Sequence, residues 1–417
     1  MARRTEGGVE RLTSTATGPV APAATAAPLP TSGATAALQP TDVGAVRDVV
    51  RDAIERRSAL RIVGRGTWMN AGRPVHDAQP IALDGLTGIV DYTPGDLTLT
   101  ARAGTTMAEI AAATASHGQW LALAPWGGDQ GSLGAVAATA SAGPLSGAFG
   151  TPRDIVIGLE AVTGAGDVVR GGGRVVKNVA GFDLTRLMIG AWGTLGVLTE
   201  VSVRLRGLPE RDATVALAVP DTTAALGDLL TRLRAAPIAP LALEILTPEL
   251  VRRLGIGTGA VMLARLAGNA EVVDAQRAAL ADLGDVRDVP GDVWDRLRVA
   301  EPPDASVVRL SSPAGRLAET WAAANRVAAA SDGFAHASVL RAVARVVMPH
   351  ADGQLPAAVL EALRSNGREV RIFERLPSAL WPTLSPSVTA DPLSRGVRAA
   401  FDAHRLLNPG ILGDDRT

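Results

Sequence analysis

Glycine is distributed unevenly along this chain. Residues 60–207 hold 26 of its 45 glycines, where even spacing over 417 residues would put about 16. Glycine loses conformational entropy inside helices and strands, so a local excess marks tight turns or close approach of backbone to a ligand. A β-rich domain with many hairpins would give the same excess, and the local patterns must separate the two. At 417 residues the chain is long for one core, so two or three domains are expected.

Lys and Arg total 41 against 42 Asp and Glu. That balance leaves no cationic excess for a broad nucleic-acid or anionic-membrane surface. The chain has no Cys. Disulfides, Cys-ligated zinc, thiol catalysis and iron–sulfur clusters held by this chain are therefore excluded. Residues 12–40 carry no charge, and Pro19, Pro22, Pro28, Pro30 and Pro40 break every short apolar run. No run approaches the roughly 20 residues that span a bilayer, and no secretory signal is visible. Residues 1–39 read as a disordered extension.

Val43, Val46, Val49, Val50, Ala53 and Ile54 recur at helical spacing behind Thr41 and Asp42, either of which can cap. Leu60–Val63 reads as a strand running into Gly64-Arg65-Gly66-Thr67-Trp68, and a second strand follows near Ile81. Leu97–Arg102 alternates as a half-buried strand, and 105–117 reads as a helix. Ile155–Val162 and Val168-Val169 form a hairpin about Gly164-Ala165-Gly166-Asp167, 184–189 a short helix, and Val197–Leu205 a strong strand. From 210 glycine thins and helices such as 224–233 and 270–283 alternate with short strands. This predicts an α+β chain: a glycine-dense domain at 40–207, a second α+β domain at 210–345, and a C-terminal segment at 346–417.

Three loops stand out. The first is Gly64-Arg65-Gly66-Thr67, whose consecutive N–H groups can form an anion-binding nest. The second runs from Pro125-Trp126-Gly127-Gly128 through Gly131-Ser132-Leu133-Gly134 to Ser141-Ala142-Gly143, small enough to let a flat ligand lie on backbone. The third is Gly190-Ala191-Trp192-Gly193-Thr194-Leu195-Gly196-Val197. The dinucleotide fingerprint fails, because Met69 stands where Gly64-x-Gly66 needs its third glycine. No loop ends in Gly-Lys-Ser or Gly-Lys-Thr, so a P-loop is absent.

Taken in order, these loops resemble the PCMH-type FAD-binding domain of the vanillyl-alcohol-oxidase and p-cresol-methylhydroxylase superfamily. Gly173 to Leu184, Gly193 to Leu198 and the terminal Asn408-Pro409-Gly410 narrow the likeness to the FAD-binding subunits of bacterial glycolate oxidase. The resemblance implies two α/β subdomains holding FAD, a cap domain, and a C-terminal segment packing back toward the flavin. It places Gly64, Arg65, Gly66, Thr67 and Trp68 at the diphosphate. Pro125, Gly128, Gly131, Ser132, Leu133 and Gly134 fall along the cofactor, Ser141 and Gly143 near the flavin, Gly196 and Val197 by the adenine, and Asn408 near the ring. Thr67 stands where covalently flavinylated relatives place His, which implies non-covalent FAD.

The catalytic residues are not legible. Metal-dependent relatives carry His-x-Gly-Asp-Gly-Asn-x-His, and the nearest echo, His350-Ala351-Asp352-Gly353-Gln354, lacks the second His and reads as a turn. No metal site is expected. Arg309, Arg341, Arg345 and Arg371 are candidate cations for a substrate carboxylate. The resemblance implies an FAD subunit of a heteromeric glycolate oxidase. It would act on a small 2-hydroxy acid, beside a second flavin subunit and an iron–sulfur subunit. It would lie in the cytoplasm, with any membrane association made through those partners. A self-sufficient 2-hydroxy acid dehydrogenase and a structural subunit that has lost its flavin are the alternatives.

Overall fold

A computed structural model describes residues 36–173, 183–350, 353–364, 369–385 and 391–413. Most of the Gly173–Leu184 stretch and of the expected 1–39 tail, and Ala351 and Asp352 of the expected turn, lie outside the described residues.

Helix Val43–Arg56 opens at Asp42, whose carboxylate accepts from the Ala45 N–H, and buries Val46, Val50 and Ala53. It packs on a small parallel sheet of Ala59–Val63 and Ala78–Ala82. Two parallel bridges widen that sheet, Leu38 to Ile81 on one side and Leu407 to Leu60 on the other. Residues 36–39, expected in the tail, thus belong to the fold. The chain's last segment also returns to its first strand. Asp402 holds it there, fully buried and accepting from the N–H groups of Leu406 and Leu407 at 3.0 and 2.9 Å.

The second subdomain is a five-stranded antiparallel sheet in the order Ile89–Thr93, Thr98–Arg102, Gly196–Arg204, Val156–Thr163, Val168–Gly172. The alternating strand near 197–205 is its centre, as its pattern required. Helix Met107–Ala115 starts at a Thr106–Glu109 capping box, and helix Leu133–Thr139 starts at Ser132.

The cap is one eight-stranded antiparallel sheet. Helices Thr223–Ala235, Leu317–Ala330 and Ala357–Arg364 bury Leu230, Val327 and Val359 in the core that covers one face. The opposite face carries Leu263, Val307, Phe334 and Val347, and receives Trp126 from the glycine-dense domain. The expected boundary at 345 falls inside strand Val343–Met348, and strand Val370–Arg375 completes the sheet edge. The strand runs on through that point with Val346, Val347 and Met348 all buried, so no shift in composition marks the sheet's end near 375. Among the described residues no helix is long and apolar enough to cross a membrane.

Candidate functional site

The carboxyl ends of the two parallel strands open into a cleft. Strand Ala59–Val63 turns there into Gly64–Trp68. A Cβ on Gly64 would stand 2.6 Å from Ser132 Oγ and 3.1 Å from the Ala135 Cβ, so the first loop presses against the second and only glycine fits. Gly66 differs: its φ is +72° and nothing lies within 4 Å of where a Cβ would be. That backbone stands open to the cleft. Helix Leu133–Thr139 is seated equally closely, with Gly134 against the Cβ and carbonyl of Ala103 at 2.6 and 2.8 Å.

The third loop and the C-terminal segment close the far wall. Asn408 Oδ1 accepts from the Ile62 N–H at 2.8 Å, and its Nδ2 donates to the Trp192 carbonyl at 2.7 Å. One side chain therefore ties the first strand to the third loop. Asn408 has φ +44°, a left-handed conformation that asparagine tolerates better than most residues. Leu407's bridge to Leu60 sets its height.

Of the expected cofactor residues, Gly64, Arg65, Gly66, Thr67, Trp68, Gly134, Gly196 and Asn408 line this cleft together. Ser141 lines the adjoining cavity. Its Oγ is buried without a hydrogen-bond partner among the described residues. The others stand behind or beside the cleft. Leu133 is wholly buried in the core. Strand alternation turns Val197 into the first subdomain's core while Gly196 and Leu198 face the cleft. Gly143 abuts the Ala124 carbonyl, 1.7 Å from its would-be Cβ, so it serves backbone packing. Gly131 and Ser132 back the first loop at Thr67 and Gly64. Pro125 and Gly128 meet the cap: the Pro125 carbonyl accepts from Arg298 Nε at 3.0 Å, and Gly128 lies against Val299.

Arg61, Thr139, Trp192 and Ile411 also line the cleft; the sequence placed Trp192 in the third loop but assigned none of the four to the cofactor. Arg61 sits between Leu60 and Ile62 and looks like the outward residue of an alternating strand. Trp192 has φ +55°, an uncommon conformation for so bulky a residue, which the flanking glycines hinted at.

The cleft continues into a cavity of about 310 Å³ between the two domains; Trp68, Thr139, Trp192 and Ile411 belong to both. Four of the chain's seven tryptophans, Trp68, Trp126, Trp192 and Trp381, line it. The four candidate substrate cations part here. Arg309 and Arg371 border the cavity. The Arg371 guanidinium is engaged by Glu369 at 2.6 Å and by the Leu363 carbonyl. Arg341 is exposed in a turn and does not border the cavity. Arg345 is buried, pairing with Glu301 and, at 2.6 Å, with Glu374, which also meets Arg309 at 2.7 Å. Arg341 and Arg345 are therefore not placed to hold a substrate in this cavity. Burial pushes the Glu301 carboxyl upward most strongly, but Arg345 and Arg375 outweigh it and hold Glu301 below the usual range.

Among the described residues no group of three or more His, Asp or Glu could hold a metal. His336 is buried in the cap, with Nδ1 3.0 Å from Glu244 and its ring 4.6 Å from Trp126.

A domain of this build, with glycine-lined cleft and sheet cap, defines a class. Residues 34–172 match the family model described as an FAD binding domain. Glycolate oxidase subunit GlcE of Escherichia coli is 36% identical over 272 residues, 64% of this chain and 75% of that protein. GlcD of Bacillus subtilis is 31% identical, over 57% of this chain and about half (53%) of its own length. The D-2-hydroxyglutarate dehydrogenase of Xanthomonas citri is 27% identical over 89% of this chain and 88% of that protein. Among solved structures, p-cresol methylhydroxylase superposes with a TM-score of 0.72 at 16% identity, over 91% of this chain and 88% of its own. The chain belongs to the FAD-linked oxidoreductase family that includes the glycolate oxidase subunits, and its fold is the PCMH type.

The residues fit that cofactor. Gly66 leaves room where a side chain would stand, Ser141 offers a buried unpaired hydroxyl, and Arg61 borders the cleft without a counter-charge among the described residues.

Proposed function

We propose that this chain is the FAD-holding redox subunit of a heteromeric glycolate, or related 2-hydroxy acid, oxidase. Electrons would pass between it, a second flavin subunit and an iron–sulfur subunit. The observation that carries this reading is the lining of the interdomain cavity: tryptophans, arginines and one carboxylate already paired to Arg309, with no histidine among the described residues. Oxidation of a hydroxy acid needs a base for its proton, and another chain would supply it. Electron exit through a cluster would equally need another chain, since this one has no Cys.

When bound, FAD supplies an acceptor for an electron pair that can leave singly. The protein's part is to hold and shield it. Backbone N–H groups of Gly64–Thr67 would hold the diphosphate, each such bond to a charged oxygen contributing about 1.5–3 kcal/mol. Asn408 would fix the distance between first strand and third loop. Trp68 and Trp192, at the junction of cleft and cavity, would exclude water. With Thr67 in the loop, the cofactor is held without a covalent bond and leaves with the supernatant when the protein is acid-precipitated. On this reading the complex works in the cytoplasm and meets a membrane only through its partner subunits.

The test is anaerobic mixing of the FAD-loaded chain with glycolate and with D-lactate while flavin absorbance is followed. No bleaching of the isolated chain, and bleaching once partner subunits are added, is expected. Bleaching of the isolated chain would instead establish the second reading, a self-sufficient dehydrogenase. Arg309, with its side chain 37% exposed at the cavity, favours that one.

A further inference from the structure

One cation in the cleft has no partner among the described residues. Arg61 lies mid-strand, opposite Pro80 in the neighbouring parallel strand, and borders the cleft three residues before Gly64. Among the described residues its side chain makes no hydrogen bond, ion pair or aromatic contact. It is partly buried, and that burial alone lowers its guanidinium to about 10, with no opposing charge among the described residues to restore it. It still carries its full charge at neutral pH.

Several other guanidinium groups with little exposure are paired with carboxylates. Arg298 pairs with Asp129 and with Asp295 at 3.1 Å, Arg375 with Glu301, and Arg265 with Asp212 at 2.6 Å. Even Arg65, in the same cleft, has a counter-charge: it helps lower the Glu109 carboxyl, after the larger effect of hydrogen bonds from Thr106. A charge withdrawn from water without a counter-ion is destabilising. A cleft that keeps one is complementary to an anion.

The site has a second mark. It opens at the carboxyl ends of the parallel strands, beside Val63, Gly64 and Leu83. In α/β sheets ligands bind outside those ends. The adjacent Gly64–Thr67 loop is the stretch assigned to the diphosphate under the reading above, on which this inference rests.

We propose that Arg61 is the cation that completes the dinucleotide's diphosphate site, so that the chain binds FAD and ADP but discriminates against riboflavin. The loop would supply neutral donors and Arg61 the charge. Guanidinium suits this task because its planar donors match phosphate oxygens two at a time.

The test compares FAD, ADP and riboflavin binding by titration calorimetry, and melting of the apo-protein, in wild type, Arg61→Gln and Arg61→Lys. In Arg61→Gln, FAD and ADP should bind about tenfold or more weakly, the loss expected for one charge-assisted hydrogen bond. Riboflavin affinity should hold within about threefold, as its ring and ribityl chain carry no charge. Arg61→Lys should recover much of the FAD affinity. Apo Arg61→Gln should melt no lower than wild type, while its FAD-induced rise in Tm shrinks. That pairing separates a ligand-binding role from a structural one. FAD affinity within threefold of wild type, equal loss for riboflavin, or a lower apo Tm would overturn the proposal. Wild type binding neither FAD nor ADP would overturn the FAD reading itself.

Discussion

The two walls of the interdomain cavity solve opposite problems. The glycine-dense wall is built from turns, small side chains and backbone; among the described residues it leaves Ser141 Oγ without a hydrogen-bond partner, and the cleft that runs into the cavity leaves Arg61 without one. The cap wall is built from long charged side chains whose opposite charges are paired: Arg345 with Glu301 and Glu374, Arg375 with Glu301, Arg309 with Glu374. A surface with unmatched groups is complementary to something it lacks. A surface whose charges are matched internally is a scaffold. The same fold thus separates holding a cofactor from keeping the cap rigid above it.

The largest effect should come from breaking the cap network. Glu301→Ala would leave Arg375, more than 90% buried, without its carboxylate, and the equally buried Arg345 with Glu374 alone. Removing one partner of a buried pair costs about 3–5 kcal/mol, which urea denaturation would read directly. Stability loss well under that range would mean that the network is looser than its geometry. The same carboxylate sets an acid response. Glu301 is held below its ordinary 4.5 in the fold. Its contribution is therefore complete above that value and is lost as pH falls through its lowered value, because protonation removes the charge it presents to both arginines. The acid limb of wild-type stability should flatten in Glu301→Ala.

The glycine-dense wall should respond less in stability and more in flavin binding. Asn408→Ala removes two side-chain hydrogen bonds, to Ile62 and Trp192, and puts alanine at φ +44°. About 2–3 kcal/mol of destabilisation is expected, with weaker FAD binding by fluorescence titration. Gly134→Ala pushes a methyl to 2.6 Å from the Ala103 Cβ. Overpacking of that kind costs about 1–3 kcal/mol, and the shifted helix would narrow the cleft. Normal flavin affinity in both variants would dissolve the contrast between the walls.

Much of the cofactor wall was readable because its constraints are local. Gly64, Gly66 and Gly134 follow or open regular elements, and the hairpin at 164–167 lies between two alternating runs. Even Asn408 was reachable, through a resemblance at the chain's end. Arg61 was not, since its distinguishing property is a partner that is missing in space. The cap network was equally hidden. Glu301 meets Arg345 and Arg375 across separations of 44 and 74 residues. Arg345, between Ala344 and Val346, reads as an outward residue of a strand with one wet face. It is buried because the other domain lays Trp126 on that face, 5.3 Å from its guanidinium carbon.

The smallest stability effect, and the sharpest test of the contrast, belongs to the cap's remaining cations. Arg309→Met leaves Glu374 paired with Arg345, so the network survives and the stability change should stay below about 1 kcal/mol, as for exposed pairs. Arg341→Met, in its exposed turn, should cost no more. Of the two, Arg309 alone faces the cavity. If the cap wall is a pure scaffold, neither substitution alters the rate at which hydroxy acids reduce the assembled complex. If the cavity itself takes substrate, Arg309→Met alone raises KM, by about tenfold for one lost charge-assisted bond to a carboxylate, and Arg341→Met does not. A KM effect confined to Arg309 would move one residue of the cap from the scaffold to the site.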